Sequence, residues 1–126
     1  MAALVDSSGW IEYFTQGANA AAFRPAIIAT SDLIVPTICI YEVYRYVARV
    51  RDATSAARSA AAMMLAKVID LDPDLAVMAA QLSAAHRLPM ADSIILTTAR
   101  KFDAILWTQD VDFAGIEGVR YLPKAA

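Results

Sequence analysis

Asp92 is a carboxylate on the apolar face of a predicted helix. In HRLPMADSIILTTAR, residues 86–100, Ile95 and Leu96 follow Asp92 at helical spacing. Pro89 is expected at the first helical position, which places Asp92 too far into the helix to cap it. The helix dipole would stabilise this carboxylate by only roughly 0.3–1 kcal/mol, whereas burial of an unpaired charge costs several kcal/mol. Either Asp92 is more exposed to solvent than the pattern suggests, or a cation lies beside it.

Three further acids follow or lie within apolar segments. Asp6 follows the first apolar run, Asp110 follows AILWT, and Glu42 lies in the helical pattern TICIYEVYRYV. Asp6 and Asp110 could be ordinary turn residues at strand ends, and Glu42 could pair with Arg45 or Arg49 at helical spacing. If the carboxylates converge, they raise one another's pKa values unless a divalent cation compensates. One histidine and one cysteine are too few for a structural zinc site, so oxygen ligands favour magnesium or manganese over calcium.

The elements that must position these acids alternate between strands and helices. We predict strands at 2–5, 32–37, 69–71, 104–108 and 119–122, and helices at 9–14, 19–29, 38–50, 54–68 with Thr54 as N-cap, 72–86, and 89 onward. Near-continuous apolar strands between helices indicate a three-layer α/β/α sandwich around a parallel five-stranded sheet. Sites in such sheets form beyond the carboxyl ends of the strands, where Asp6 and Asp110 lie. Without repeats or linkers, residues 1–126 are expected to form one domain.

The composition and net charge of the chain limit the classes of protein to which it can belong. The hydrophobic fraction of 59% suggests that a partner or a second copy covers some apolar surface. No apolar run reaches the about 18 residues of a membrane span. A net charge of −2 argues against a general electrostatic nucleic-acid binder but permits a local basic patch. Cys39 is expected in the core of a protein in the reducing cytoplasm, and Trp10 and Trp107 are expected in the core as well.

The segments LVDSSGW, TICIYEVYR, LPMADSIILTTAR and ILWTQDVDF together resemble the PIN-domain family. Within it, the chain is similar to the small VapC-type ribonuclease toxins of bacterial toxin–antitoxin pairs, over nearly its whole length. The resemblance implies hydrolysis of RNA phosphodiester bonds with Mg²⁺ or Mn²⁺. It also implies an acidic metal site, made of Asp6, Glu42, Asp92 and Asp110, with Asp112 as an auxiliary ligand.

Two hydroxyl residues match positions that support this site in the family. The resemblance implies that Ser7 and Thr108 hydrogen-bond to the carboxylates. Ser7 and Ser8 stand where many relatives have Thr-Asn, which leaves open what these two serines contact. The four acidic positions of the pattern are all filled, so we expect an active enzyme.

A basic cluster follows Glu42. Arg45, Arg49 and Arg51, with Arg58 beyond them, could hold RNA phosphates without reading the base sequence. A solvated helix face is the alternative interpretation. The tyrosines of the same segment could stack on bases or pack in the core or an interface; they are Tyr41, Tyr44 and Tyr46.

Protein partners are also implied by the resemblance. Similar toxins form homodimers and are inhibited by a VapB-like antitoxin that packs across the helices and can place an arginine in the acidic pocket. The alanine-rich segment 59–68 offers a small-residue surface for such packing. The alternative function is a catalytically silent PIN-like binding or regulatory module. A phosphoacceptor signalling domain is disfavoured, because Asp6 is followed by serines rather than by a second acid and AILWT is not followed by a lysine.

Overall fold

Five parallel strands form the central sheet of the computed structural model, which describes residues 1–125. They are β1 (Ala3–Val5), β2 (Leu33–Pro36), β3 (Lys67–Ile69), β4 (Ile105–Thr108) and β5 (Val119–Tyr121). The strand order is β3-β2-β1-β4-β5, and each neighbouring pair is parallel. The chain therefore builds the sheet outward from β1 on one side and then, through β4, on the other.

Helices connect the strands and cover the sheet. They are α1 (Ser7–Phe14), α2 (Ala20–Ile28), α3 (Thr37–Val50), α4 (Ala53–Met63), α5 (Pro73–His86) and α6 (Met90–Lys101). Packing joins α3 to α4, α5 to α6, and α1 to both α2 and α3. This arrangement confirms the predicted α/β sandwich. Within residues 1–125, every helix is too short or too polar to span a lipid bilayer.

The fourth helix and third strand differ most from the sequence prediction. Asp52, rather than Thr54, is the N-cap of α4, because its carboxylate accepts a hydrogen bond from the Ser55 amide at 2.6 Å. The helix ends at Met63 instead of continuing to residue 68. The predicted helix is too long because no residue in this alanine-rich segment marks a stop in the pattern. Strand β3 then pairs Lys67–Ile69 with β2, two residues earlier than predicted.

Pro89 occupies the N-cap of α6, one position before its predicted place at the start of the helix. Met90 is consequently the first helical residue, and Asp92 is the third. The prediction that Asp92 does not cap the helix holds with this shift. Asp92 also remains in the first turn, where the helix dipole favours a negative charge.

The core fills the space between the sheet and the helices. Leu4, Val35 and Leu106 are fully buried in the three central strands. Cys39 on α3 and Trp10 on α1 are buried, as predicted. The prediction for Trp107 is confirmed only in part, because this side chain packs against the core but is half-buried. Alternation along β4 buries Leu106 and Thr108 and turns Trp107 to the other face, where the Arg120 guanidinium lies 4.3 Å from its ring centroid.

Candidate metal centre

The two strand-end acids meet where the order of the sheet reverses. Strands β1 and β4 are neighbours, with Val5 paired to Trp107, so Asp6 and Asp110 follow adjacent strands at their carboxyl ends. The connection from β1 leads to β2 on one side, whereas β4 is added on the other. Such a reversal opens a crevice beyond the strand ends, which is the usual ligand site of a parallel sheet.

Asp6 is buried and held by three hydrogen bonds. Its side chain is 3% exposed and caps α1, with Oδ1 accepting from the Gly9 amide at 3.0 Å and from Ser8 Oγ at 2.6 Å. Oδ2 accepts from Thr108 Oγ1 at 2.5 Å. Burial raises the pKa of Asp6 to about 6, although these three donors oppose the shift. An ionised carboxylate has about four lone-pair positions, so Oδ2 keeps capacity for one more partner.

The loop after β4 is ordered by the same threonine. Thr108 Oγ1 accepts a hydrogen bond from the Asp110 amide at 2.9 Å. Asp110 Oδ1 in turn accepts from the Asp112 amide at 3.0 Å and caps a short 3₁₀ helix, Val111–Phe113. The fully buried Phe113 anchors this turn in the core. The loop therefore presents Asp110 and Asp112 together.

Asp92 completes an acidic cluster with these two residues. One carboxylate oxygen from each of Asp92, Asp110 and Asp112 lies within 4.8 Å of the other two. Partial burial, first, and then the negative charges of Asp110 and Asp112 raise the pKa of Asp92 to about 7. Asp6 and Glu42 raise it further by the same charge effect. All four predicted acids and the auxiliary Asp112 thus act electrostatically on one crevice.

Glu42 reaches the crevice from α3. Ser7 Oγ donates a hydrogen bond to Glu42 Oε1 at 2.7 Å. The alternative pairing of Glu42 with Arg45 or Arg49 is not formed, since the one ion pair within residues 1–125 joins Lys101 to Asp72 at 3.9 Å. The side chain of Glu42 is therefore oriented by a hydroxyl group and not neutralised by a neighbouring cation.

The donor set fits a hard divalent cation. Every side chain of the cluster offers carboxylate oxygens, which are the ligands that Mg²⁺ and Mn²⁺ prefer. Partial burial, and after it the negative charges of the neighbouring acids, make a further negative charge on Asp92 unfavourable and so raise its pKa. A bound cation would remove this repulsion. The residues that would hold it are Asp92, Asp110 and Asp112, with Asp6 and Glu42 beside them.

Two polar residues of the site have no role assigned from the sequence. Ser8 donates to Asp6 and also accepts a hydrogen bond from the Gln109 amide at 3.2 Å, so it links the ends of β1 and β4. The signal was its position two residues after an N-cap aspartate, where a serine commonly bonds to the cap. Gln109 is buried at 7% exposure, and nothing in its sequence context distinguishes it from a turn residue.

The predicted RNA-binding arginines divide between two places. Arg45 and Arg49 line a cavity of about 450 Å³ together with Ser7 and Glu42. Arg51 lines a different cavity, of about 240 Å³, where Arg58 also lies. The first pair is therefore beside the acidic centre, whereas Arg51 is not part of the same surface.

The PIN domain family model matches residues 3–119, and the chain belongs to this family. The comparison with curated proteins found no match to this chain. Among solved structures, it is similar to a toxin–antitoxin complex from Klebsiella pneumoniae, with a TM-score of 0.82 and 26% identity over 98% of this chain and 100% of that one. It also shares its fold with VapC20, a sarcin–ricin loop cleaving toxin from Mycobacterium tuberculosis, with a TM-score of 0.76 and 21% identity over 94% and 99% of the two chains.

A third similar structure is VapBC2 of Rickettsia felis, bound to a DNA fragment from its promoter. Here the TM-score is 0.74 and the identity 11%, over 98% of each chain. At such identities, the likeness to the second and third structures establishes the fold alone. The chain is thus a PIN domain whose nearly entire length corresponds to these structures.

Proposed function

We propose that this chain is a metal-dependent endoribonuclease that acts in the cytoplasm as the toxin of a VapBC-type toxin–antitoxin pair. The observation that carries the proposal is the convergence of Asp92, Asp110 and Asp112 within 4.8 Å, beside a buried Asp6 at the switch point of the sheet. Membership of the PIN family and the likeness to structures of toxin–antitoxin proteins support it. Residues 1–126 would then act as one nuclease domain.

The side chains of the crevice have distinct tasks in this proposal. A magnesium or manganese ion held by the carboxylates would neutralise charge on the phosphate and activate water for attack on phosphorus. Asp6 is held rigidly by its three donors, so it presents Oδ2 in one orientation. Glu42, oriented by Ser7, borders the cavity that leads to Arg45 and Arg49, where an RNA phosphate would be attracted.

Cleavage of labelled total RNA by the purified chain tests the proposal. Wild type is compared with Asp92→Asn and with the control Asp74→Asn, in magnesium, in manganese and in EDTA. Asp92→Asn keeps the size of the side chain and removes its charge, whereas Asp74 is exposed on α5, outside the acidic cluster. We expect cutting only with metal, its loss in Asp92→Asn, and full activity in Asp74→Asn.

Two outcomes would contradict the nuclease proposal. Equal cleavage by wild type and Asp92→Asn would assign the cutting to a contaminant or to other residues. If no protein cuts RNA in either metal but wild type still binds the metal, the catalytically silent module becomes the better description. The acids would then serve stability or regulation.

The surface between α3 and α4 fits a helical segment of an antitoxin. An apolar groove of about 1050 Å³ lies there, with alanines along its α4 side. Tyr41, Tyr44 and Met64 line the groove and remain 57%, 41% and 56% exposed. Large apolar side chains around a groove are typical of helix-in-groove recognition. Tyr41 also lines the cavity that contains Glu42, so a bound segment could extend an arginine toward the acids.

Exposed apolar side chains on α5 and α6 fit a homodimer interface. Val77 and Met78 on α5 and Met90 at the start of α6 are 60%, 41% and 72% exposed. These side chains lie outside the α3–α4 groove, so a second copy and an antitoxin would not compete for the same residues. Light scattering of wild type and Val77→Glu tests this proposal, with a change from dimer to monomer mass as the expected result. If Val77→Glu kept the dimer mass of wild type, the interface would lie elsewhere.

A further inference from the structure

Tyr46 lies between two cavities that adjoin the acidic centre. The first cavity, described above, contains Glu42 and Arg49. The second has a volume of about 480 Å³ and is bordered by Ser8 and Gln109. Tyr46 and Ile11 line both cavities, so the two cavities adjoin each other beside α1.

The ring of Tyr46 is held in place by its surroundings. It is half-buried and packs against the hydrophobic core. On the side of the first cavity, the Arg49 guanidinium lies 5.5 Å from the ring centroid, which is within the range of a cation–π contact. A tyrosine fixed in this way provides a stacking surface at little cost in conformational entropy.

The second cavity also contains a fixed amide. Gln109 is buried, and its Oε1 accepts a hydrogen bond from Asn19 Nδ2 at 3.0 Å. The same Asn19 amide donates to the Pro123 carbonyl at 2.9 Å, and the Asn19 backbone amide donates to Glu12 Oε2 at 2.8 Å. Because Oε1 already accepts the hydrogen bond from Asn19, Nε2 is the part of the Gln109 amide that remains to bind a ligand, as a donor.

We propose that this second cavity receives a nucleobase of single-stranded RNA, which stacks on Tyr46 while Arg45 and Arg49 hold the neighbouring backbone phosphate. The inference rests on the proposed ribonuclease function for its ligand. Three observations support it: a cavity within the usual size range of ligand sites, a rigid aromatic wall, and a positive charge on the adjacent side. Stacking on aromatic side chains is the common way in which unpaired bases bind proteins. Tyr46 would thereby position the strand across the acidic centre.

Binding of RNA oligonucleotides in EDTA, where no cleavage occurs, tests the inference independently of catalysis. The probes are a fluorescent single-stranded RNA of mixed sequence and a set of the same strand with one base at a time removed to leave an abasic site. The proteins are wild type, Tyr46→Phe, which keeps the ring, and Tyr46→Leu, which removes it. Thermal unfolding of each variant shows whether its fold is retained.

We expect Tyr46→Leu to bind the intact strand about 5- to 150-fold more weakly, and Tyr46→Phe to bind like wild type. One abasic position should weaken binding to wild type by a similar factor and have no further effect in Tyr46→Leu, because the base and the ring then make the same contact. The inference would be overturned if the abasic site and Tyr46→Leu reduced the affinity for RNA additively, or if Tyr46→Phe reduced it as much as Tyr46→Leu. Either result would leave the nuclease proposal intact. Base-dependent binding through Tyr46 without metal-dependent cleavage would instead overturn only the nuclease proposal.

Discussion

Thr108 joins the two halves of the acidic crevice through its single hydroxyl group. Its Oγ1 donates to Asp6 Oδ2 at 2.5 Å and accepts from the Asp110 amide at 2.9 Å. The first bond connects residues 102 positions apart, and the second orders the loop that carries Asp110 and Asp112. One buried hydroxyl thus fixes both the acid that follows β1 and the acids that follow β4.

Thr108→Val should therefore reduce both stability and metal affinity. The substitution keeps the shape of the side chain and leaves Asp6 Oδ2 buried without its donor, at a cost of about 1–3 kcal/mol in the free energy of unfolding. Urea unfolding measures this loss, and calorimetric titration with manganese measures the affinity. Thr108→Ser keeps the hydroxyl and should retain most of the affinity. If Thr108→Val bound manganese as tightly as wild type, the loop would not depend on this bond.

Asp92→Asn should stabilise the protein in EDTA at neutral and alkaline pH. The folded-state pKa of Asp92 is raised from 3.8 to about 7, so the folded protein binds this proton more readily than the unfolded chain does. The destabilisation by the Asp92 charge is accordingly absent below about pH 4, grows as the pH rises, and is complete above about pH 7.

Melting curves of wild type and Asp92→Asn in EDTA, recorded between about pH 4 and pH 8, measure this effect. We expect the melting temperature of the variant to be a few degrees higher than that of wild type at the alkaline end of this range. At the acidic end the two melting temperatures should be equal. Asp6, whose pKa is raised chiefly by burial, keeps that part of its shift in both proteins. A difference that stays constant with pH would mean that Asp92 does not titrate in this range.

How much of this site the sequence could predict depends on whether each feature is local. Asp6 and Asp110 could be placed at strand ends because apolar runs stop directly before them. Asp92 stood out because helical spacing put a carboxylate among Ile95 and Leu96. The sequence could not predict that Ser7 bonds to Glu42 and Ser8 to Asp6. These contacts depend on how α1 and α3 place the two carboxylates relative to each other.

The bounds of β3 differ from the prediction because they are set by pairing with residues far along the chain. Strand β3 is positioned by its register with β2, where Ile34 pairs with Lys67 and Pro36 with Ile69. Local apolar character extends through Leu71 and contains no information about that register. The partial burial of Trp107 could not be predicted for the same reason, because the packing of the folded sheet determines which face of β4 is more fully covered.

A divalent cation should stabilise wild type through the acidic cluster. A ligand at about 100 times its Kd adds about 2.7 kcal/mol to the free energy of unfolding when it binds only the folded state. We expect magnesium and manganese to raise the melting temperature of wild type at neutral pH and to lose this effect in Asp110→Asn. Asp74→Asn, the variant on α5, should respond like wild type. An equal response in all three proteins would indicate ion binding outside the cluster.

Arg45→Gln and Arg49→Gln should weaken RNA binding and reduce its dependence on salt. For single strands, each phosphate contact that is lost lowers the slope of log K against log salt by about 0.7. Arg51→Gln is the matched comparison, because Arg51 is close in sequence but lines a different cavity, and we expect a smaller change. Fluorescence anisotropy in EDTA at several salt concentrations provides the slopes. Identical losses for all three variants would show that total charge governs binding rather than the cavity beside Glu42.

Ala61→Glu should prevent capture of an antitoxin without reducing the stability of the chain. Ala61 is exposed on α4 and lines the apolar groove, where a carboxylate would have to be desolvated by a bound helix. Ala62→Glu is the matched control, since Ala62 is exposed on the same helix but does not line the groove. Co-purification with a co-expressed VapB-like antitoxin, together with melting curves of both variants, measures the effect. We expect loss of the complex in Ala61→Glu alone. Retention of the complex in both variants would place the antitoxin on another surface, because an unpaired charge in a closed apolar interface costs several kcal/mol.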